Sequence, residues 1–549
     1  MKTRRFAMLA AFIVWGAAPV SVSAKPSPLN ASSCAGLGNL TIAARKIGLP
    51  TGGATTVSAK LISSSASAPE HCLVSGKIAP VDKNAPNIEF NIALPTKWNG
   101  KALMFGGGGY NGIVPNVAGN LPIGRLAVTP LSRGYATFGS DSGHQTPGAS
   151  FALNDEAYRN YVGDALKKTR DTAMFIIERA YGTRPSRSYF MGASRGGGEA
   201  LAATARWPKD WDGAVSLYPA RSGTVTILGM LAGNQALAAP GAFLAPRHRE
   251  LLYHAALERC DGLDGAHDGL ISDRRGCSTG FDPATATFAG APLRCADGGA
   301  GFACLSDAQI AAIKKMSGPI KLPVTMKSGE TEFPGFTILT SETASPGMSE
   351  YGWGAVAPSA KLAPTAQYQP GVPILFWMVD QYMHHIFARD PNYDTLGFDF
   401  ANPGVIGPRL RALSELDDLD LDMSGFAARN GKLILVQGSD DQMISPKATA
   451  AYYEMLRKRL GDDKLAKMLR YYEIPGYGHG RSAEFLASWD QLTALEQWVE
   501  HDVDPGENEV VGDLAGIPGR TRPLCLYPRW PRYTGTGDVN SAKSFTCAE

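Results

Sequence analysis

Gly192-Ala193-Ser194-Arg195-Gly196 follows the apolar and aromatic run Tyr189-Phe190-Met191. A serine flanked by small residues, between a strand-like run and a glycine-rich helix start, is the pattern of a nucleophile elbow. The turn leaves no room for side chains beside the serine and pushes its hydroxyl toward an incoming carbonyl. That hydroxyl needs a base, and imidazole titrates near neutral pH. Of nine histidines, His479 alone lies between glycines in a loop, Pro475-Gly476-Tyr477-Gly478-His479-Gly480, downstream of a candidate acid. The acid is Asp441 or its neighbour Asp440, just past the apolar run Leu433-Ile434-Leu435-Val436. Whichever does not serve reads as a solvated loop or helix-capping carboxylate, a part that suits Asp440. Serine, aspartate, histidine in that chain order is the order of α/β hydrolases.

Acyl transfer through Ser194 develops a negative oxygen that needs preorganised N–H donors. The amide of Arg195, which follows the nucleophile, is one. The run Phe105-Gly106-Gly107-Gly108-Gly109-Tyr110-Asn111-Gly112 is the natural source of the second, with Gly109 preferred over Gly108. Glycines let this backbone approach a substrate closely. A phosphate cradle would need a Lys-Ser/Thr pair after the glycines, and none follows.

The elements that must position these groups read as α/β. Strands are expected at Phe90–Leu94, Ala102–Phe105, Ala136–Phe138, Ser188–Met191, Lys432–Val436 and Leu469–Ile474. Helices are expected at Asp164–Ala180, Gly197–Arg206, Ala448–Leu460 and Ala483–Val499. Their alternation predicts a mostly parallel sheet, an α/β-hydrolase core. The stretch from Ser194 to Asp441 far exceeds what that core requires. It predicts a large insert at about 221–420 that divides the core into 25–220 and 421–549. An insert here sits above the site as a lid; an independent domain is the alternative.

Residues 1–24 have a basic start (Lys2, Arg4, Arg5), an apolar stretch from Phe6 to Val20 and the small-residue ending Val22-Ser23-Ala24. This is the pattern of an export signal, and the stretch falls short of the roughly 20 unbroken apolar residues of a membrane span. No later segment is apolar enough to span a bilayer, so a secreted or periplasmic protein is expected. Eight cysteines in such a chain point to disulfides. Proximity favours Cys34 with Cys72, Cys260 with Cys277, Cys295 with Cys304, and Cys525 with Cys547. A net charge of +2 with interspersed signs gives no reason to invoke nucleic acid or an anionic membrane. Within the insert, Cys260-Asp261-Gly262-Leu263-Asp264-Gly265-Ala266-His267-Asp268-Gly269-Leu270 gathers three carboxylates among glycines. Such a loop could hold calcium, the carbonyls of Ala266 and Leu270 completing the shell, or be an acidic solvated turn. Zinc would find only His267 as a soft ligand there, with no fourth partner.

Together the elbow, the Gly-x-x-Asp and Gly-x-Gly-His loops, the insert and the Asp261/Asp264/Asp268 loop resemble the tannase and feruloyl esterase family. Pro391-Asn392-Tyr393-Asp394 after Arg389-Asp390 adds to the likeness, which runs over nearly all the chain. The family includes feruloyl esterases, tannases and mono(2-hydroxyethyl) terephthalate hydrolase. The resemblance implies an α/β-hydrolase core with a lid, and a triad of Ser194, Asp441 and His479. It also implies a structural Ca2+ on Asp261, Asp264, Ala266, Asp268 and Leu270, and the disulfides paired as above. The chain departs from the family pattern at Ala193 and Gly480, where the family carries cysteines joined beside the triad. The expected activity is hydrolysis of small aromatic acyl esters, hydroxycinnamates first, with gallates and terephthalate monoesters as rivals. Tyr351, Trp353, Phe376, Trp377 and Tyr382 could stack on an aromatic acid or simply fill the lid core. A peptidase with the same triad, or a binding protein on a hydrolase scaffold, are the other classes.

Overall fold

The computed structural model describes residues 29–120, 126, 128–359, 366–418, 421–482 and 484–549. The expected export signal lies outside them. Ten strands form one sheet: β1 (Thr41–Ile42), β2 (Gly53–Ile62), β3 (His71–Ala79), β4 (Ile88–Pro95), β5 (Lys101–Phe105), β6 (Ala136–Ser140), β7 (Arg187–Ala193), β8 (Gly213–Leu217), β9 (Lys432–Gly438) and β10 (Leu469–Ile474). Their spatial order is β1-β2-β3-β4-β6-β5-β7-β8-β9-β10. From β6 to β10 every pairing is parallel, and β1 to β4 add an antiparallel wing that joins the edge of β6.

The parallel strands are largely apolar and mostly buried because both faces are covered. Side chains alternate across the pleat. In β9, Leu433 and Leu435 enter the core on one face, while Ile434 and Val436 enter the core on the other. Helices α1 (Ala165–Tyr181), α2 (Arg195–Arg206), α3 (Gly223–Ala238), α4 (Ile374–Tyr382), α5 (Pro446–Leu460) and α6 (Gln491–His501) include both core and insert elements. A third apolar core lies in the insert and runs without a break into the hydrolase part: Leu228, Trp353 and Leu375 share it with Tyr110, Phe151 and Tyr161.

Two expectations need correction. The helix anticipated at Ala483–Val499 begins only at Gln491, where the Asp490 side chain accepts the Thr493 amide at 3.0 Å and caps it. Residues Ala487–Ser488 instead pair antiparallel with Gly512–Asp513, so their apolar spacing belongs to an extended segment. Of the central sheet, strands β1, β2, β3 and β8 lie outside the expected set. β1 has only two residues, β2 and β3 mix polar with apolar residues and bury one face, and Gly-Ala-Val-Ser-Leu in β8 is too short and too small-residued to show a period.

Candidate active site

Ser194 stands between β7 and α2 at φ 59° and ψ −121°, a conformation disfavoured for any residue but glycine. The glycines around it explain how the strain is accommodated. A Cβ at position 192 would lie 2.0 Å from the Gly196 carbonyl, and one at position 196 would lie 2.6 Å from the Gly107 carbonyl. His479 Nε2 lies 2.9 Å from Ser194 Oγ, and His479 Nδ1 lies 2.8 Å from Asp441 Oδ2. The serine loop follows β7, the acid loop β9 and the histidine loop β10, at the carboxyl ends of parallel strands where open α/β sheets collect their sites.

Asp441 is fully buried. Its Oδ1 accepts the amides of Met443 and Ile444, each at 2.8 Å, and its Oδ2 accepts Gln437 Nε2 at 3.2 Å. Asp440 points elsewhere and is also buried. It accepts the amide and hydroxyl of Ser341, each at 2.8 Å, and pairs with Arg274. The expectation of a solvated carboxylate there is therefore corrected: Asp440 meets the start of a helical turn, but inside the protein and across to the insert.

Among the described residues no group engages the amides of Arg195, Gly108 or Gly109, and all three residues line the same cavity as Ser194. The glycine loop is held by Glu199 on α2. Its Oε2 accepts the Gly107 amide at 2.9 Å, and its Oε1 accepts Asn111 Nδ2 at 2.6 Å. The Arg195 side chain turns away from the serine, is buried, donates to the Tyr161 carbonyl at 2.6 Å and lies 4.3 Å over that ring. Tyr161 sits in a π-turn, Asn160–Asp164, where Gly163 takes φ 154°. Tyr218 packs its ring on His479 at a centroid distance of 4.8 Å.

The cavity over Ser194 has a volume of about 290 Å³. Core residues form its floor, and Met230, Tyr351, Ile374, Trp377, Met378 and Tyr382 of the insert form its walls. Of the five insert aromatics picked out in sequence, Tyr351, Trp377 and Tyr382 line it, whereas Trp353 and Phe376 are buried packing. Arg481, two residues past His479, adds an exposed cation.

A family model described as tannase and feruloyl esterase matches residues 72–548. The chain belongs to the tannase and feruloyl esterase family. It is 37% identical over 547 residues to an uncharacterized esterase of Agrobacterium fabrum, covering 96% of this chain and 95% of that one. It is 32% identical over 530 residues to the mono(2-hydroxyethyl) terephthalate hydrolase of Piscinibacter sakaiensis, covering 88% and 86%. The crystal structure of feruloyl esterase B from Aspergillus oryzae superposes with a TM-score of 0.72 at 21% identity, covering 94% of this chain and 100% of that one. The fold is thus that of an α/β hydrolase, and this member of the tannase and feruloyl esterase family is a carboxylic-ester hydrolase.

All four nearest-neighbour disulfides are present: Cys34–Cys72, Cys260–Cys277, Cys295–Cys304 and Cys525–Cys547. Among the described residues, no helix is long and apolar enough to cross a membrane. The loop after Cys260 carries the oxygen donors named for calcium. Asp264 Oδ2 is buried and unpaired, the Ser272 hydroxyl being near but outside hydrogen-bonding geometry. No described group donates to the Ala266 or Leu270 carbonyls. Asp261 Oδ1 accepts the Asp268 and Gly269 amides at 3.2 and 3.0 Å, and Asp268 pairs with Arg522. Hard oxygen donors with an orphaned buried carboxylate oxygen suit calcium in kind. The carboxylates of Asp261, Asp264 and Asp268 do not converge within 4.8 Å, however, and the Asp268 oxygens are engaged by Arg522 and the Leu270 amide, so the loop would have to draw together around the ion. Burial, with the charges of Asp268 and Asp261, pushes the Asp264 carboxyl up to about 6. The one grouping of three ligand-type atoms among the described residues, Glu507 with Cys525 and Cys547, contains a disulfide and offers no metal site.

Proposed function

We propose that this esterase hydrolyses small aromatic acyl esters through an acyl-enzyme on Ser194. The observation that carries the reading is the unbroken relay Ser194 Oγ, His479 Nε2, His479 Nδ1, Asp441 Oδ2, with contacts of 2.9 and 2.8 Å, at the floor of an aromatic cavity. His479 takes the Ser194 proton as Oγ attacks the ester carbonyl, and Asp441 holds the imidazole in the required tautomer. The amides of Arg195 and Gly109 receive the developing oxyanion. His479 then protonates the departing alcohol, and a water activated by the same ring releases the acid. The insert acts as a lid that shapes the acyl pocket. Calcium, held by Asp261, Asp264, Ala266, Asp268 and Leu270, would tie the loop beside Cys260 together without entering the chemistry. Four disulfides suit an exported protein, secreted or periplasmic, as the leading segment implies.

Hydroxycinnamate esters such as ferulates are the leading substrates. A specific observation favours terephthalate monoesters as the second reading: Arg481 lines the mostly apolar cavity and has no acidic partner within 4.0 Å among the described residues. A free carboxylate on the substrate would supply one. The test is kcat/KM on methyl ferulate, methyl gallate and mono(2-hydroxyethyl) terephthalate, with Ser194→Ala alongside. One clear preference, lost by about 10⁴-fold or more in the alanine variant, is expected. Activity on none of the three would sink the aromatic-ester assignment.

A further inference from the structure

The insert reaches the relay by a second route, through a carboxylate that no motif marks. Thr340 caps a single helical turn, Ser341–Ala344, and Glu342 within it is fully buried. Glu342 Oε1 accepts the His479 amide and Oε2 accepts the Gln442 amide, each at 2.9 Å. Those two amides belong to the loop carrying the histidine and the loop carrying Asp441. Gly478 makes the approach possible, since a Cβ there would stand 2.6 Å from Glu342 Oε1. The turn is pinned from outside as well: Ser341 donates twice to Asp440, and Gln442 Nε2 donates to the Met348 carbonyl at 2.9 Å.

We propose that Glu342 is a positioning residue for the relay, the point through which the seated insert sets the spacing between the His479 and Asp441 loops. The inference rests on the catalytic reading of Ser194, His479 and Asp441 given above. A side chain that served one loop would need one oxygen on one amide, whereas this carboxylate spans both with its two oxygens. Mere space-filling would be served at less cost by an apolar residue, because a second acid beside Asp441 in a dry interior is unfavourable. Burial and the Asp441 charge indeed hold the Glu342 carboxyl well above its usual range; Arg481 opposes them from the cavity side, and the buried phenols of Tyr218 and Tyr477 also face the pair. An acid side chain is needed there because the two amides its oxygens receive have no other partner among the described residues, and a displacement of about 1 Å in a reacting group can cost about 100-fold in rate.

The experiment compares the full protein with Glu342→Gln, Glu342→Ala and Ser194→Ala, each checked for folding by its melting temperature. Glutamine keeps the shape but turns an NH2 group toward one amide; alanine removes both acceptors. The expected result is a kcat about 100-fold lower in Glu342→Ala and about tenfold lower in Glu342→Gln, with KM within about threefold. The far-downfield proton shared by His479 and Asp441 should be lost or broadened in both. If the alanine variant does not fold, the near-isosteric glutamine variant is read alone. Folded variants with kcat within threefold of the parent and that resonance intact would overturn the proposal, as would a loss confined to KM. An inactive Ser194→Ala beside fully active Glu342 variants defeats this inference alone, whereas an active Ser194→Ala defeats the catalytic reading itself.

Discussion

Adjacent aspartates divide two tasks in one loop. Asp441 receives three N–H donors and faces His479, whereas Asp440 receives Ser341 and Arg274 and fastens the insert. Asp441→Asn should therefore lower kcat by about 10⁴-fold with little change in melting temperature, because the amide imposes the wrong tautomer on the imidazole. Asp440→Asn should do the reverse in kind, lowering stability by about 3 kcal/mol through an unpaired Arg274 while kcat falls far less. Steady-state kinetics and thermal melts on the two variants check both. Asp264 yields a pH prediction. Its folded value of about 6 lies above the ordinary aspartate range, so the native state binds the extra proton. Without calcium, the contribution of Asp264 to stability is then fully present below pH 4 and is lost as pH rises through 6, by on the order of 2 kcal/mol. Calcium favours the ionised form, so its addition should raise the melting temperature more at pH 7 than at pH 4.5. Equal shifts at both values would count against the Asp261–Leu270 site.

At the scale of elements, the elbow is built by what is missing. Strand β7 passes into α2 within a turn that brings positions 192, 196 and 107 into backbone contact. Gly192→Ala has no flexible neighbour to displace, since its Cβ would meet a backbone carbonyl. It should cost about 3 kcal/mol or more and abolish activity together with the fold of the loop. Circular dichroism with activity on the same sample measures this. The π-turns at Asn160–Asp164 and Met383–Phe387 do comparable local work: the first contains Tyr161 and the second directly follows Tyr382, both of which line the cavity. Such single-turn irregularities re-aim side chains that a regular helix would direct elsewhere.

Across the whole molecule, the insert and the hydrolase part share one cavity and one apolar core. Trp377, packed edge-on to Tyr110 at 5.6 Å, belongs to both. Trp377→Ala should raise KM for an aromatic ester about tenfold while changing kcat less, since a stacking wall worth about 1–1.5 kcal/mol is lost from ground state and transition state alike. An unchanged KM would mean that the acyl group lies elsewhere in the cavity.

Much of the site was legible without a fold, because its signals are local. A serine between glycines after an apolar run, histidine between glycines in a loop, and cysteines close in sequence each announce a geometry within a few residues. Most strands of the parallel half were legible for the same reason, since burial on both faces makes them largely apolar; Leu469–Ile474 has the bounds expected of it, and only the short, small-residued β8 gave no such signal. What tertiary structure decided involves partners far apart in the chain. Nothing near Asp440 tells that it meets Ser341, nothing near Glu199 that it holds the Gly107 amide, and nothing near Glu342 that it joins two loops. A hydrogen bond between distant segments leaves no period and no spacing in either of them. The sequence by itself determined which chemistry the chain can hold; the packing of the insert onto the sheet decided which carboxylates support it and what shape of ester can enter.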